Sequence, residues 1–180
     1  MDALVIVIVA IVVIVAIAFI SISNKLNRAI VKIDEADAGI DVALTKRYDV
    51  LTKMIETVKG YAKHEKEVLF DVVKIRKGMT IEEKNEANKQ MDETLSKINV
   101  LAENYPDLKA SENFKTLQDS ITDVEEHLQA ARRLYNANIS SYNQMIVTFP
   151  ISIIAGTKGL SKREFFVAEE HKKQDVEIKF

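Results

Sequence analysis

Residues 3–20 read ALVIVIVAIVVIVAIAFI, an uninterrupted apolar run, and the first charged residue after it is Lys25. A helix of about 20 apolar residues crosses the hydrocarbon core of a bilayer. A cleaved signal peptide would need a basic start and a shorter apolar core, whereas only Asp2 precedes this run. We therefore predict a retained transmembrane anchor over residues 1–24, with the lipid bilayer as its partner.

The basic residues beside the anchor predict its orientation. Lys25, Arg28 and Lys32 follow the apolar run, and no Lys or Arg precedes it. Lys and Arg close to a span favour the cytoplasmic side. We therefore expect a single-pass protein of the cell membrane, with its N-terminus outside and its C-terminal domain cytoplasmic.

The composition of the chain is that of a helical bundle. Only 5 Gly and 2 Pro occur in 180 residues, and there is no Cys for disulfide or thiolate chemistry. The 25 basic and 27 acidic residues are interspersed, which gives no electrostatic footprint for nucleic acid. No catalytic constellation, phosphate loop or metal-ligand spacing is present in the sequence. We therefore predict a protein that is not an enzyme and that carries no cofactor or metal.

Apolar residues at seven-residue spacing predict helix over residues 24–77. Asp37, Arg47 and Glu65 interrupt this apolar stripe, so each is either paired within the fold or exposed at a turn. A turn over residues 47–51 would divide the stretch into two helices of matched length, and we assign Arg47 to that turn. Without the turn, one helix would be much longer than its partners.

Capping and turn residues predict where the later helices begin and end. Thr80 and Glu83 form the spacing of a capping box before a helix over residues 81–102. A turn over residues 105–107 follows, and Ser111 caps the last long helix. That helix should end near Thr148, because Pro150 disfavours helix at the preceding residue.

The last long helix carries the most regular repeat: two series of residues, each at seven-residue spacing, which together form the seam by which the helix packs. The series are Phe114, Ile121, Leu128, Tyr135, Tyr142 and Phe149, and Leu117, Val124, Ala131, Asn138 and Met145. We predict an all-α fold: the transmembrane helix, then an antiparallel up-down four-helix bundle over residues 25–149, with three long helices as the alternative. Residues 150–180 should form an apolar loop and a charged tail.

Several motifs resemble the LemA family of bacterial proteins: ARRLYN at 131–136, SYN at 141–143, Phe149-Pro150, YPDLKA at 105–110 and VKGYAKHE at 58–65. The resemblance implies a membrane-anchored four-helix bundle with a short external N-terminus. It implies no activity, because the role of the family is not settled. Family members are often encoded near a membrane zinc protease, and some relatives belong to bacterial organelle membranes. The family usually has Pro where this chain has Thr52.

The same motifs supply the candidate site residues, which have a partner-binding or structural role: Arg132, Arg133, Tyr135, Asn136, Asn138, Tyr142, Asn143, Phe149 and Pro150. The aromatic members form a recognition stripe or, as we expect, part of the core. Asn136 and Asn143 flank the seam and bond to neighbouring helices or to a partner. Asn138 lies in the seam as a register-fixing polar residue. Arg132 and Arg133 contact phosphate or, as we expect, lie on a solvated face.

We expect a scaffold or adaptor at the cytoplasmic membrane face. Its partner would be an unidentified membrane protein or a second copy of the chain. One alternative is an accessory or regulatory subunit of a membrane protease. Another is a sensor with a ligand site between helices, lined by the face that carries Tyr135 and Tyr142.

Overall fold

The computed structural model describes residues 3–61 and 72–166, and every regular element in them is a helix, as predicted. The elements are α1 (Ala3–Tyr61), α2 (Ile81–Asn104), α3 (Pro106–Ala110), α4 (Glu112–Val147) and α5 (Ile151–Thr157). The chain divides into two compact units. We call Met1–Asp37 with Leu134–Glu164 the anchor unit, and Ala38–Arg133 with Phe165–Phe180 the core unit.

The predicted turn over residues 47–51 is wrong, because α1 is one continuous helix of 59 residues. No Gly or Pro occurs between Gly39 and Gly60, so no residue in that stretch disfavours helix strongly. Arg47 is fully buried and paired rather than exposed at a bend. The four-helix arrangement that depended on this turn is not confirmed. Glu65 lies outside the described residues.

The N-terminal part of α1 is exposed along its whole length. Every residue from 3 to 20 is accessible, although all of them are apolar. Among the described residues, α1 is the one helix long and apolar enough to cross a membrane. Farther along α1 the predicted stripe is buried, beginning at Leu26 and including Ile33, Ile40 and Leu44.

A hydrophobic cluster joins all four helices of the core unit. It contains Leu51, Met54, Ile55 and Val58 of α1, Met91, Ile98 and Ala102 of α2, Leu108 of α3, and Phe114 and Ile121 of α4. Lys84 of α2 pairs with Asp41, and Asn88 bonds to Arg47, so in this unit α2 runs in the same direction as α1. Glu125 of α4 also meets Arg47, whereas the later Ala131 lies beside the earlier Gly39, so α4 runs in the opposite direction to α1.

The predicted helix ends agree with the structure at several positions. Thr80 and Glu83 form the capping box at the start of α2, and the Ser111 hydroxyl accepts a hydrogen bond from the Phe114 amide at the start of α4. Other predictions need correction. Residues 105–107 lead into the short helix α3, residues 72–77 are not helical, and α5 forms where a loop was expected.

The seam of α4 moves by one residue in its second half. Tyr135 and Tyr142 are buried as predicted, but Ile139 and Ile146 are buried in place of Asn138 and Met145, which are only half-buried. A straight helix drifts about 20° per heptad relative to a seven-residue repeat. Over the three heptads from Leu117 to Asn138 the drift reaches about 60°, which turns Asn138 out and Ile139 in. Phe149, beyond the end of α4, is 77% exposed, so its predicted seam position is wrong.

Candidate functional site: a strap held by the last long helix

Two tyrosines of α4 hold a non-helical segment of the anchor unit, residues 160–164, which we call the strap. Tyr135 and Tyr142 are seven residues apart and therefore lie on the same face of the helix. The Tyr135 hydroxyl donates to the carbonyl of Glu164 at 3.3 Å, and the Tyr142 hydroxyl donates to the carbonyl of Ser161 at 3.1 Å. Both rings are buried, so the strap is bonded to the polar tips of two core side chains.

A third residue of α4 holds the strap through paired hydrogen bonds. The Asn143 Nδ2 donates to the carbonyl of Arg163 at 2.9 Å, and its Oδ1 accepts from the amide of Arg163 at 2.9 Å. The Arg163 guanidinium donates to Asp34 of α1 at 3.0 Å and lies 5.9 Å from the centre of the Tyr142 ring. The strap is thereby joined to α1 and to α4 within the anchor unit.

The electrostatic surroundings of Tyr135 keep its phenol protonated. Burial, followed by the negative charge of Asp37, raises the pKa of Tyr135 from 10.0 to about 12. Arg163 acts in the opposite direction, and Glu164 and Asp34 add to the rise. The hydroxyl is therefore a hydrogen-bond donor at neutral pH, as its bond to the Glu164 carbonyl requires.

The other candidate residues are placed separately from the strap. In the anchor unit, the Asn138 Nδ2 donates to the carbonyl of Lys32 at 2.9 Å and ties α4 to α1. In the core unit, the Arg132 guanidinium lies 4.8 Å from the centre of the Phe166 ring, in cation–π geometry. Asn136 is half-buried. The remaining three, Arg133, Phe149 and Pro150, are exposed.

A buried ionic cluster crosses the core unit. Arg47 is fully buried, and its Nη2 pairs with Asp92 and Glu125 while its Nη1 donates to the Asn88 side chain at 2.6 Å. The sequence marked Arg47 as an interruption but assigned it to the solvent. The pairing instead compensates for burial, because a buried charge needs opposite charges and hydrogen bonds.

A second buried cation lies next to this cluster on α2. Lys84 is 1% exposed, and its Nζ lies 2.7 Å from Asp41 Oδ1. The sequence analysis missed this pair, since a Lys on a polar helix carries no pattern that predicts burial. Across residues 3–61 and 72–166, no group of three or more His, Cys, Asp or Glu side chains is arranged to hold a metal ion.

A basic groove lies between α1 and α4 of the anchor unit, with a volume of about 470 Å³. Its lining residues are Ser21, Asn24, Lys25, Arg28, Ala29 and Lys32 of α1, and Ser141 and Met145 of α4. In the sequence, the three cations Lys25, Arg28 and Lys32 indicated only the orientation of the anchor. Asp34 and Arg163 of the strap site could not be identified from the sequence, because contacts between residues 129 positions apart leave no local pattern.

Comparison with known proteins places the chain in a family. The LemA family profile matches residues 36–180. Protein LemA of Metamycoplasma hominis is 29% identical over 164 residues, which cover 88% of this chain and 75% of that protein. Magnetosome protein MamQ of Magnetospirillum gryphiswaldense is 26% identical over 72 residues, 40% of this chain and 26% of that protein's length. The chain belongs to the LemA family.

Proposed function

We propose that this protein is a membrane-anchored helical scaffold or adaptor that acts at the cytoplasmic face of the cell membrane. The observation that carries the proposal is α1 itself. Its first 18 described residues are apolar and exposed, and the same helix continues into the packed interior of both units. A helix of this kind joins a bilayer anchor to a folded domain without a flexible linker.

The strap supports this proposal over a ligand sensor. A sensor of the kind considered above needs an open site on the face that carries Tyr135 and Tyr142. That face is buried, and the strap accepts the hydrogen bonds of both hydroxyls. The two hydroxyls that would recognise a ligand on this face therefore already donate hydrogen bonds within the protein.

The polar side chains of the described residues favour binding over catalysis. Arg47 is neutralised by two carboxylates, and Asn143 is bonded to the strap. Tyr135 has a pKa of about 12, so it is a poor general acid or base near neutral pH. These groups fix the positions of helices, which suits a protein whose task is to present surfaces to a partner.

The orientation follows from the charges beside the anchor, and single cysteines can test it because the chain has none. We expect a membrane-impermeant maleimide to label Asp2→Cys on intact cells, or on spheroplasts where an outer envelope is present. Val100→Cys, at a position 60% exposed, should react only after permeabilisation. Labelling of the Val100 position without lysis would show the reverse orientation.

The scaffold role is tested by recovery of the full chain from membranes in a mild detergent, with bound proteins identified and counted by mass spectrometry. We expect a membrane-protein partner in fixed stoichiometry, or a defined oligomer of the chain. The matched control is the same chain with residues 3–20 replaced by an unrelated transmembrane helix, which should keep partners of the helical domain. A chain recovered as a monomer without any stoichiometric partner would contradict the proposal.

A further inference from the structure

The basic groove of the anchor unit combines one charged wall and one uncharged wall. Lys25, Arg28 and Lys32 are spaced by three and four residues, so they share one face of α1. Ser141 and Met145 of α4 form the opposite wall. The groove therefore presents three cations on one side and a hydroxyl beside an apolar thioether on the other.

The three cations of the groove are not used by the fold. All three are exposed, and within the described part of the chain none of their side chains forms an ion pair or a hydrogen bond. No carboxylate of the described residues lines the groove. Glu35 lies on the adjacent surface of α1, beside Arg28 and Lys32, and Asp34 is bonded to Arg163. The groove thus keeps a local positive charge in a chain whose net charge is −2.

The groove begins where the apolar part of α1 ends. Ile20 is the last residue of the apolar run and Lys25 follows five residues later, a rise of about 7.5 Å along a helix. The headgroup layer on each side of a bilayer is about 5–8 Å thick. If residues 3–20 span the hydrocarbon core, the backbone of Lys25 lies at the level of the phosphates. Arg28 and Lys32 follow about 4.5 Å and 10.5 Å farther along the helix, and their long side chains can extend back toward that level.

The two walls of the groove are joined by a direct contact. Asn138 of α4 bonds to the carbonyl of Lys32 at 2.9 Å, which sets the spacing of the two helices. Beside the groove, Lys158 Nζ at the end of α5 donates to Asn27 Oδ1 of α1 at 3.3 Å. A preformed site loses less conformational entropy on binding than one that must assemble around its ligand.

We propose that this groove is a binding site for a phosphate-bearing anion, with the headgroup of an anionic membrane phospholipid as its occupant. Lys25, Arg28 and Lys32 would contact the phosphate, the Ser141 hydroxyl would donate to a phosphate or glycerol oxygen, and Met145 would contact the start of an acyl chain. The proposal rests on the membrane anchorage proposed above. The chemistry is shared by lipid phosphate and soluble phosphate, so the test must separate them.

The test uses the full chain in nanodiscs that contain equal mole fractions of phosphatidylglycerol and phosphatidylcholine, followed by native mass spectrometry of the lipids retained after release. We expect one phosphatidylglycerol per chain, retained at least about tenfold over phosphatidylcholine, since each cation near an anionic surface strengthens binding about fivefold. The variant Lys25→Gln/Arg28→Gln/Lys32→Gln should lose this preference. The control Lys46→Gln/Lys53→Gln/Lys59→Gln removes three exposed charges of the same helix outside the groove and should keep it.

A second variant leaves all three cations in place. Ser141→Asp puts a carboxylate on the opposite wall and should weaken retention about tenfold, through repulsion of the phosphate. Circular dichroism checks that each variant keeps its helix content. Equal retention of the two lipids by the unaltered chain, or equal loss in the groove and control variants, would overturn the proposal.

Inorganic phosphate separates the two sources of the ligand. In neutral detergent it should not displace bound phosphatidylglycerol, because it lacks the acyl chain that contacts Met145. Displacement would uphold the phosphate site and refute the lipid as its occupant. Failure of the chain to sediment with membranes would refute the anchorage, whereas sedimentation without lipid preference would refute the groove site alone.

Discussion

Arg47 shows how one residue can decide the course of a helix. Its charge in an apolar stripe is compatible with a solvated turn or with a buried cluster. The structure contains the cluster, with Asp92, Glu125 and Asn88 around the guanidinium. Because the partners come from α2 and α4, the charge fixes the register of three helices against each other.

We predict that Arg47→Met destabilises the protein by about 3–5 kcal/mol, because it leaves two carboxylates without their cation. Chemical denaturation of the full chain in a mild detergent measures this loss. Lys46→Met, at the exposed neighbouring position, should leave the stability unchanged. The combined variant Arg47→Met/Asp92→Asn/Glu125→Gln should recover most of the loss. If the single variant is as stable as the unaltered chain, the cluster does not fix the core.

A second residue-scale prediction concerns the alkaline limit of stability. The pKa of Tyr135 is 10.0 in the unfolded chain and about 12 in the folded protein. The unfolded state therefore releases this proton first, so the contribution of Tyr135 is complete below about pH 10 and is lost as the pH rises to 12. In an alkaline absorbance titration, Tyr135→Phe should remove a tyrosinate transition near pH 12. An unchanged absorbance near pH 12 in this variant would contradict the assignment.

At the scale of elements, the strap couples the C-terminal part of the chain to α4. The contacts of Asn143 with Arg163 are two hydrogen bonds to one backbone unit, the most specific of the strap contacts. The strap is not helical, so it depends on bonds to neighbouring elements. The Leu160 amide donates to the Ala155 carbonyl of α5 and Arg163 donates to Asp34 of α1, while side chains of α4 supply the bonds to Ser161, Arg163 and Glu164. The family motif at 141–143 thus corresponds in this structure to a backbone-binding function.

We predict that Asn143→Leu releases the strap. Loss of its hydrogen bonds, each contributing about 1 kcal/mol, should raise the rate of tryptic cleavage after Lys162 and Arg163 about tenfold or more. Electrophoresis and mass spectrometry of the fragments measure the rate. The control is Gln144→Leu, which alters an exposed side chain whose one hydrogen bond within the described residues is to the nearby Ser140. Equal rates in the two variants would show that Asn143 does not hold the strap.

At the scale of the whole molecule, the direction of each helix decides which segments lie beside the anchor. In the anchor unit, Ser141 and Met145 of α4 line a groove with Ser21 and Lys25 of α1. The end of α4 therefore returns to the start of the charged part of α1, although α1 is unbroken.

We predict that the exposed apolar side chains after α4 contact the bilayer surface. Phe149 is 77% exposed and Ile153 is 59% exposed, and burial of such groups in lipid is favourable by about 25 cal/mol per Å². A dye on Ile153→Cys should be quenched by lipid-borne quenchers. A dye on Leu134→Cys should not be quenched, because Leu134 is also exposed but lies about 20 Å before the end of α4. Equal quenching at the two positions would refute the contact.

Features that depend only on neighbouring residues were predictable without the structure. The apolar run identified the candidate span, Thr80 and Glu83 set the start of α2, and Ser111 set the start of α4. These signals are local, because a cap or an apolar helix is defined within a few turns. The family resemblance was likewise carried by short motifs, and the profile match confirmed it.

The tertiary structure alone decided which of two locally acceptable states each ambiguous residue adopts. Arg47 is compatible with a turn or with a core, and only carboxylates 45 and 78 residues away make burial favourable. Asn143 is an ordinary helix-surface residue until the strap reaches it from residue 163. In both cases the favourable free energy of the contact comes from a partner that is distant in sequence, and no local sequence pattern indicates where that partner lies.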